Sequence, residues 1–313
     1  MSDRMSLDHL ISWAMQGGPA PVELTDASVE RITLASEHLR MAGRSGAVYG
    51  LTTGVGALRT VPTDITPSDG TSHALRLWRS HATGFGATYD DATARAAMAI
   101  RLHQITSGRS GVSAGLASSL GAAIAGGAVP DLHRFGSIGT GDLVPLAELG
   151  LTLVGERPWR SGGAPPAAVD DGDALPFMSS NALTLATSLL VHRRLARLSE
   201  SGLIRVLDLL ILTKNEDGSV DALEIDDIPA VDQIRALEAD IAEILAAEDV
   251  ELLAEAMKPG SVAGVLVFEN RWAAPFANAT RRAGGQLIAN GRIPIQAIAA
   301  SIEAELADEE EGN

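Results

Sequence analysis

At about residue 200 the pattern of this chain changes in two ways at once, and any fold must accommodate both. Before that point apolar residues recur at helical spacing, and residues 5–16, 22–42, 71–83, 90–106, 112–126 and 182–199 read as helices. After it, residues 203–213 are rich in Leu, Ile and Val. A polar turn at 214–218 and residues 219–225 complete a strand–turn–strand pattern. Charge changes at the same place. Residues 1–199 hold 17 acidic and 16 basic side chains and residues 200–313 hold 23 and 8, which together are the chain's 40 and 24. Two differently built parts are expected: a mainly α region over 1–198 and a small α+β domain over 199–308, with 309–313 a disordered acidic tail.

In the second part, residues 228–245, 250–257, 272–283 and 294–306 read as helices, and 261–268 and 286–289 as strands. Trp272 and Phe276, four apart, are expected in the core.

Several classes of chemistry drop out. The chain has no cysteine, so disulfides, thiolate nucleophiles and cysteine metal sites are impossible. His9, His73, His81, His103, His133 and His192 show no metal-ligand spacing, and no metal is expected. The net charge of −16 disfavours a nucleic-acid partner. Gly54-Val55-Gly56 lacks the strand–helix frame of a dinucleotide site. No run of about 20 apolar residues is evident, so no membrane segment is expected, and a cytoplasmic location follows.

The most informative stretch is residues 136–149. Gly136, Gly139 and Gly141 form a glycine-rich turn that runs into Asp142 and then the apolar residues 143–154. Thr140 or Asp142 is expected to cap the helix that follows. Such a turn puts free N–H groups at the positive end of a helix, where a developing negative charge is stabilised.

This stretch resembles the signature of the histidine/phenylalanine ammonia-lyase family, Gly-Ser-Val/Ile-Gly-Ala-Ser-Gly-Asp-Leu-x-Pro-Leu-Ala. Three further segments agree in order. Val48-Tyr49-Gly50-Leu51-Thr52-Thr53-Gly54-Val55-Gly56 is similar to the family's Tyr-Gly-x-Asn-Thr-Gly-Phe-Gly. Arg79-Ser80-His81-Ala82-Thr83-Gly84 and Ser107-Gly108-Arg109-Ser110-Gly111-Val112 are similar to its Ser-His-Ala-x-Gly and Lys-Gly-x-Ser-Gly-Val. The resemblance covers about residues 5–195 and implies a helical lyase fold. It also implies elimination of ammonia from histidine, phenylalanine or tyrosine by a methylidene-imidazolone electrophile, which the family makes from its own Ala-Ser-Gly with no external cofactor. Tyr49 is implied as the base, His81 as its support, and Gly56 and Asn181 as substrate-binding residues. Arg79, Arg101 and Arg109 are candidate carboxylate binders, although salt bridging is the commoner use of arginine.

Two departures stand beside the resemblance. The triad is Gly139-Thr140-Gly141, one residue shorter counted from Gly136, and Thr140 would give an ethylidene group in place of a methylidene. The family's second half has no counterpart. A homo-oligomer, or a partner chain supplying that half, is therefore expected with the amino-acid substrate. The other reading is a catalytically inactive or partner-dependent subunit with a binding role. Residues 200–308 resemble an uncharacterised actinobacterial-type family of small α+β domains, through segments such as Asn215-Glu216-Asp217-Gly218 and Phe268-Glu269-Asn270-Arg271-Trp272. That resemblance implies a ferredoxin-like sheet and no chemistry.

Overall fold

A computed structural model describes residues 5–63, 71–139, 141–224, 247–272 and 274–282. The chain forms two compact units, Met1–Arg194 and Leu195–Asn313.

Five helices of the first unit start where a short polar side chain can stop an N–H from being orphaned. Ser6, Thr25 and Ser72 accept the N–H three residues on and open α1 (Leu7–Gln16), α2 (Asp26–Ser45) and α3 (His73–His81). Asp90 and Ser113 do the same for α4 (Asp91–Thr106) and α5 (Ala114–Ala125). Apolar spacing between these caps then decides which face is buried.

α4 and α6 (Leu143–Leu153) run through the middle and bury residues on every side, as expected of helices that are apolar all round. Each also buries a charge, Arg101 on α4 and Glu148 on α6. Around them Leu10, Ile32, Trp78, Leu116 and Phe177 fill the core. Trp78 and Phe177 meet edge to face at 5.6 Å. Gly150 lets the Trp78 indole lie on α6, since a Cβ there would sit 2.7 Å from the ring.

The unit also contains short strands that the sequence does not announce. β1 (Phe85–Thr88) pairs antiparallel with β3 (His133–Phe135), and β2 (Val129–Pro130) with β4 (Trp159–Ser161). At two to four residues they are too short to show alternation. β4 falls in what reads as a loop, residues 157–173. α7 (Ala174–Met178) and α8 (Ala182–Glu200) follow. Contrary to expectation, among the described residues one helical stretch, Ala174–Leu198, is long and apolar enough by length and composition to cross a membrane. In this structure Ala182, Leu183, Ala186 and Leu190 of that run are packed in the core.

In the second unit β5 (Ile204–Lys214) lies between β6 (Val220–Glu224) and β7 (Ser261–Asn270), antiparallel to both. The β5–β6 connection closes with Asn215 N–H on Ser219 O and with Gly218 at φ +86°. α9 (Ala247–Glu255) is tied to β5 by Lys214, whose Nζ donates to the carbonyls of Ala254 and Met257. α10 (Ala274–Arg282) follows β7. Trp272 is 65% exposed and precedes α10, so it is not the core residue expected. The side chain of Phe276, the helices expected at 228–245 and 294–306, the strand at 286–289 and the tail at 309–313 lie outside the described residues.

Candidate functional site

The glycine turn enters α6 through three residues in the left-handed region: Gly136 at φ +131°, Gly139 at +100° and Gly141 at +95°. Asp142 stands at the N-cap position of α6 but makes no side-chain cap there. Its carboxylate caps α8 instead. Oδ2 accepts the N–H groups of Leu183 and Thr184 at 2.8 and 2.9 Å, and Oδ1 accepts the Thr184 hydroxyl at 2.7 Å. The expected cap by Asp142 is thus redirected, because α8 starts beside the turn and offers orphan N–H groups to a buried carboxylate. Thr140, the other expected cap and the centre of the triad, lies outside the described residues.

Residues 179–181, between α7 and α8, form the neighbouring wall. Asp142 N–H donates to Ser180 O at 2.8 Å, and a Cβ on Gly141 would lie 3.1 Å from that same carbonyl. Gln104 of α4 bridges the wall: its Oε1 accepts the Ser180 hydroxyl at 2.6 Å and its Nε2 donates to Asn181 Oδ1 at 3.1 Å. Beneath it the buried Arg101 donates to the carbonyls of Phe177 and Pro176 at the end of α7 and to Gln104 Oε1. Burial pushes its guanidinium down to about 10.

Tyr49 stands on the loop after α2. Its hydroxyl oxygen accepts the Gly56 N–H at 2.9 Å, and the residue is 53% exposed. With Leu39, Gly50, Leu175, Pro176 and Ser179 it lines a cavity of about 180 Å3. The loop is pressed onto α7, since a Cβ on Gly50 would overlap Leu175. His73 holds it from below, its Nε2–H donating to Gly50 O at 3.2 Å. Burial lowers the His73 pKa, with the nearby Arg76 acting in the same direction and the Gly50 carbonyl and Asp171 opposing.

His81 closes α3. Its Nδ1–H donates to Leu77 O at 2.8 Å, which leaves the lone pair of the neutral ring on Nε2. The loop that follows reaches the glycine turn: a Cβ on Gly136 would lie 3.3 Å from Gly84 Cα and 3.5 Å from Thr83 O. The structure therefore joins the loop after His81, the glycine turn and the wall at Ser180–Asn181, and that wall continues through Ser179 into the Tyr49 cavity. Gly56 enters only as the donor to Tyr49, at φ +57°. Arg79 is engaged elsewhere, in a two-pronged pair with Glu156 at 2.8 and 2.6 Å, and Arg109 is exposed. The salt-bridge reading holds for Arg79.

Sequence reasoning misses Gln104, His73, and the partners of Arg101 and Glu148. The visible signal for Glu148 is a lone charge inside the apolar run 143–154.

The family model for aromatic amino acid lyases matches residues 5–206. The chain belongs to the aromatic amino acid lyase family. It is 36% identical to a histidine ammonia-lyase of Streptomyces coelicolor over 139 residues, 44% of this chain and 27% of that protein. The ergothionase of Treponema denticola has the same fold at a TM-score of 0.56 and 27% identity, over 62% of this chain and 41% of that one. Pantoea agglomerans phenylalanine aminomutase gives 0.56 and 25%, over 64% and 41%. The chain thus spans between about a quarter and two fifths of the length of these lyase-family relatives. Residues 168–311 match a second family model, a family of unknown function (DUF6325), so residues 168–206, with all of α7 and α8, fall under both.

The two glycines that flank Thr140 are compatible with the ring closure of a self-made imidazolone. Such a ring joins the carbonyl of residue 139 to the nitrogen of residue 141, and both residues are glycines at positive φ. Among the described residues, and apart from its chain neighbours, nothing lies within 4 Å of where a Cβ on Gly139 would stand.

Proposed function

We propose that residues 5–206 form one part of an ammonia-lyase or aminomutase type of site, acting on an α-amino acid with an aromatic side chain: histidine, phenylalanine or tyrosine. The observation that supports this best is the double grip of Asp142, whose N–H holds Ser180 and whose carboxylate starts α8. This grip sets Gly141 and Asp142 against the segment that carries Asn181.

Gly139, Thr140 and Gly141 would hold the prosthetic ring, which supplies an electrophile for the substrate. The chain's own groups do the rest. Tyr49, anchored through its oxygen by Gly56, takes the β-proton. His81, fixed through Nδ1, presents Nε2 to the substrate. Asn181 uses Oδ1 on Gln104 and keeps its amide N–H groups for the substrate carboxylate. A second chain, another copy or a separate lyase half, completes the site. The second unit is read as a ferredoxin-like domain, supported by the antiparallel order β6–β5–β7 with α9 tied to its central strand.

The test is ammonia release from each of the three amino acids. Release from one of them, lost in Tyr49→Phe, is expected. Neither ammonia nor a β-amino acid isomer from any of them, with the chain alone and with the missing lyase half supplied in trans, would overturn the reading.

A further inference from the structure

We propose that Glu148 is a positioning residue that fixes the spacing between the loop after His81 and the glycine turn. Glu148 is fully buried on α6. Its Oε2 accepts the backbone N–H of His133 at 2.8 Å. Its Oε1 accepts His133 Nδ1–H at 2.8 Å and an Arg157 N–H at 3.1 Å. One carboxylate therefore holds both the backbone and the ring of the same residue, and pins β3, the strand that leads into Gly136, onto α6. It also fixes the tautomer: with the proton on Nδ1, the lone pair stays on Nε2.

The loop after His81 lies directly on this pair. A Cβ on Gly84 would fall 2.5 Å from Glu148 Oε1 and 2.7 Å from His133 Cβ, and Gly136 in turn packs on Gly84 and Thr83. Glu148, His133, Gly84 and Gly136 thus make a continuous column from α6 to the turn. Glu148 directly follows the last residue of the quoted lyase signature, Ala147, and His133 precedes its first, Gly136. Arg157 is the cation that offsets the buried carboxylate, and β1, paired with β3, carries no charged residue.

An isosteric amide in place of the carboxylate would point N–H groups at donors that now bond to oxygen, and so leave buried donors unpaired. The bearing of the column on catalysis rests on the lyase reading; the coupling itself does not. The experiment is hydrogen exchange followed by mass spectrometry over residues 82–88 and 133–139 in wild type and Glu148→Gln, with 15N NMR of the His133 ring. Exchange is expected to rise roughly ten-fold or more in both segments, the range set by losing a charged buried hydrogen bond. Peptides from α1, α2 and α5 should be unchanged, and the ring should leave the single Nδ1–H tautomer. Wild-type exchange in both segments, or a uniform rise across the unit, would overturn the proposal. His133→Ala keeps the backbone bond and gives a second measurement if Glu148→Gln does not fold: a smaller rise in the same two segments is expected, and none would count against the column. Because no turnover is read, an unmodified glycine turn would remove the lyase reading and leave this result standing.

Discussion

Asp142 caps Thr184, forty-two residues away, and not the helix it opens: Oδ2 takes the Thr184 N–H at 2.9 Å and Oδ1 its hydroxyl at 2.7 Å. The glycine turn and the start of α8 therefore move as one piece. Asp142→Ala should cost about 2 kcal/mol, the upper end for a helix cap and in line with a charged hydrogen bond. Urea unfolding of Asp142→Ala, Thr184→Val and the double variant checks this. A coupling of roughly 1 kcal/mol is expected, and strict additivity would show that the two side chains act separately.

Gly150 is where α6 packs directly on the Trp78 indole. Alanine there gains up to about 1 kcal/mol of helix propensity. The added methyl group meets the Trp78 indole at 2.7 Å, and overpacking typically costs about 1–3 kcal/mol. Gly150→Ala should therefore destabilise, and Trp78→Ala should cost about 3–5 kcal/mol by leaving a cavity. Thermal unfolding of the two variants reads both signs.

The Arg79–Glu156 pair makes acid stability legible. The hydrogen bonds from Arg79 hold Glu156 below its ordinary value of 4.5, against a small opposing effect of burial. A carboxylate depressed in the folded state contributes stability that is fully present above its unfolded value and is lost as pH falls through the folded one. The window therefore opens below pH 4.5. Both side chains are partly exposed, so the effect is small and screened by salt. Glu156→Gln should be slightly less stable than wild type near neutrality, and the difference should shrink as pH falls below 4.5, which unfolding curves across that range check.

Helix positions were readable from apolar spacing, and the starts the structure shows at Ser6, Thr25, Ser72, Asp90 and Ser113 are set locally, each cap acting three residues away. The same logic fails at Asp142, since which helix a carboxylate caps depends on what the fold brings beside it. β1 to β4 are short pairings made by tertiary contact, with no alternation to detect. Of the candidate site, Tyr49 and the loop after His81 were visible as motifs and their supports were not. His73 lies far from Gly50 in sequence, and Gln104 sits on a helix whose spacing shows only that it is buried.

Tyr49→Phe separates chemistry from folding. Its oxygen bonds Gly56 at a half-exposed position, so stability should fall by less than about 1 kcal/mol. Loss of a proton-transfer group should lower the rate of ammonia release by about 10²–10⁴-fold. A variant that unfolds yet retains the rate per folded molecule would assign Tyr49 to structure alone.

The most direct test of the lyase account is the intact mass of the purified chain, with peptide mapping across Phe135 to Leu146. The account predicts loss of two waters confined to that peptide, absent in Thr140→Val. An unmodified mass would contradict it, because Gly139, Thr140 and Gly141 would then supply no electrophile.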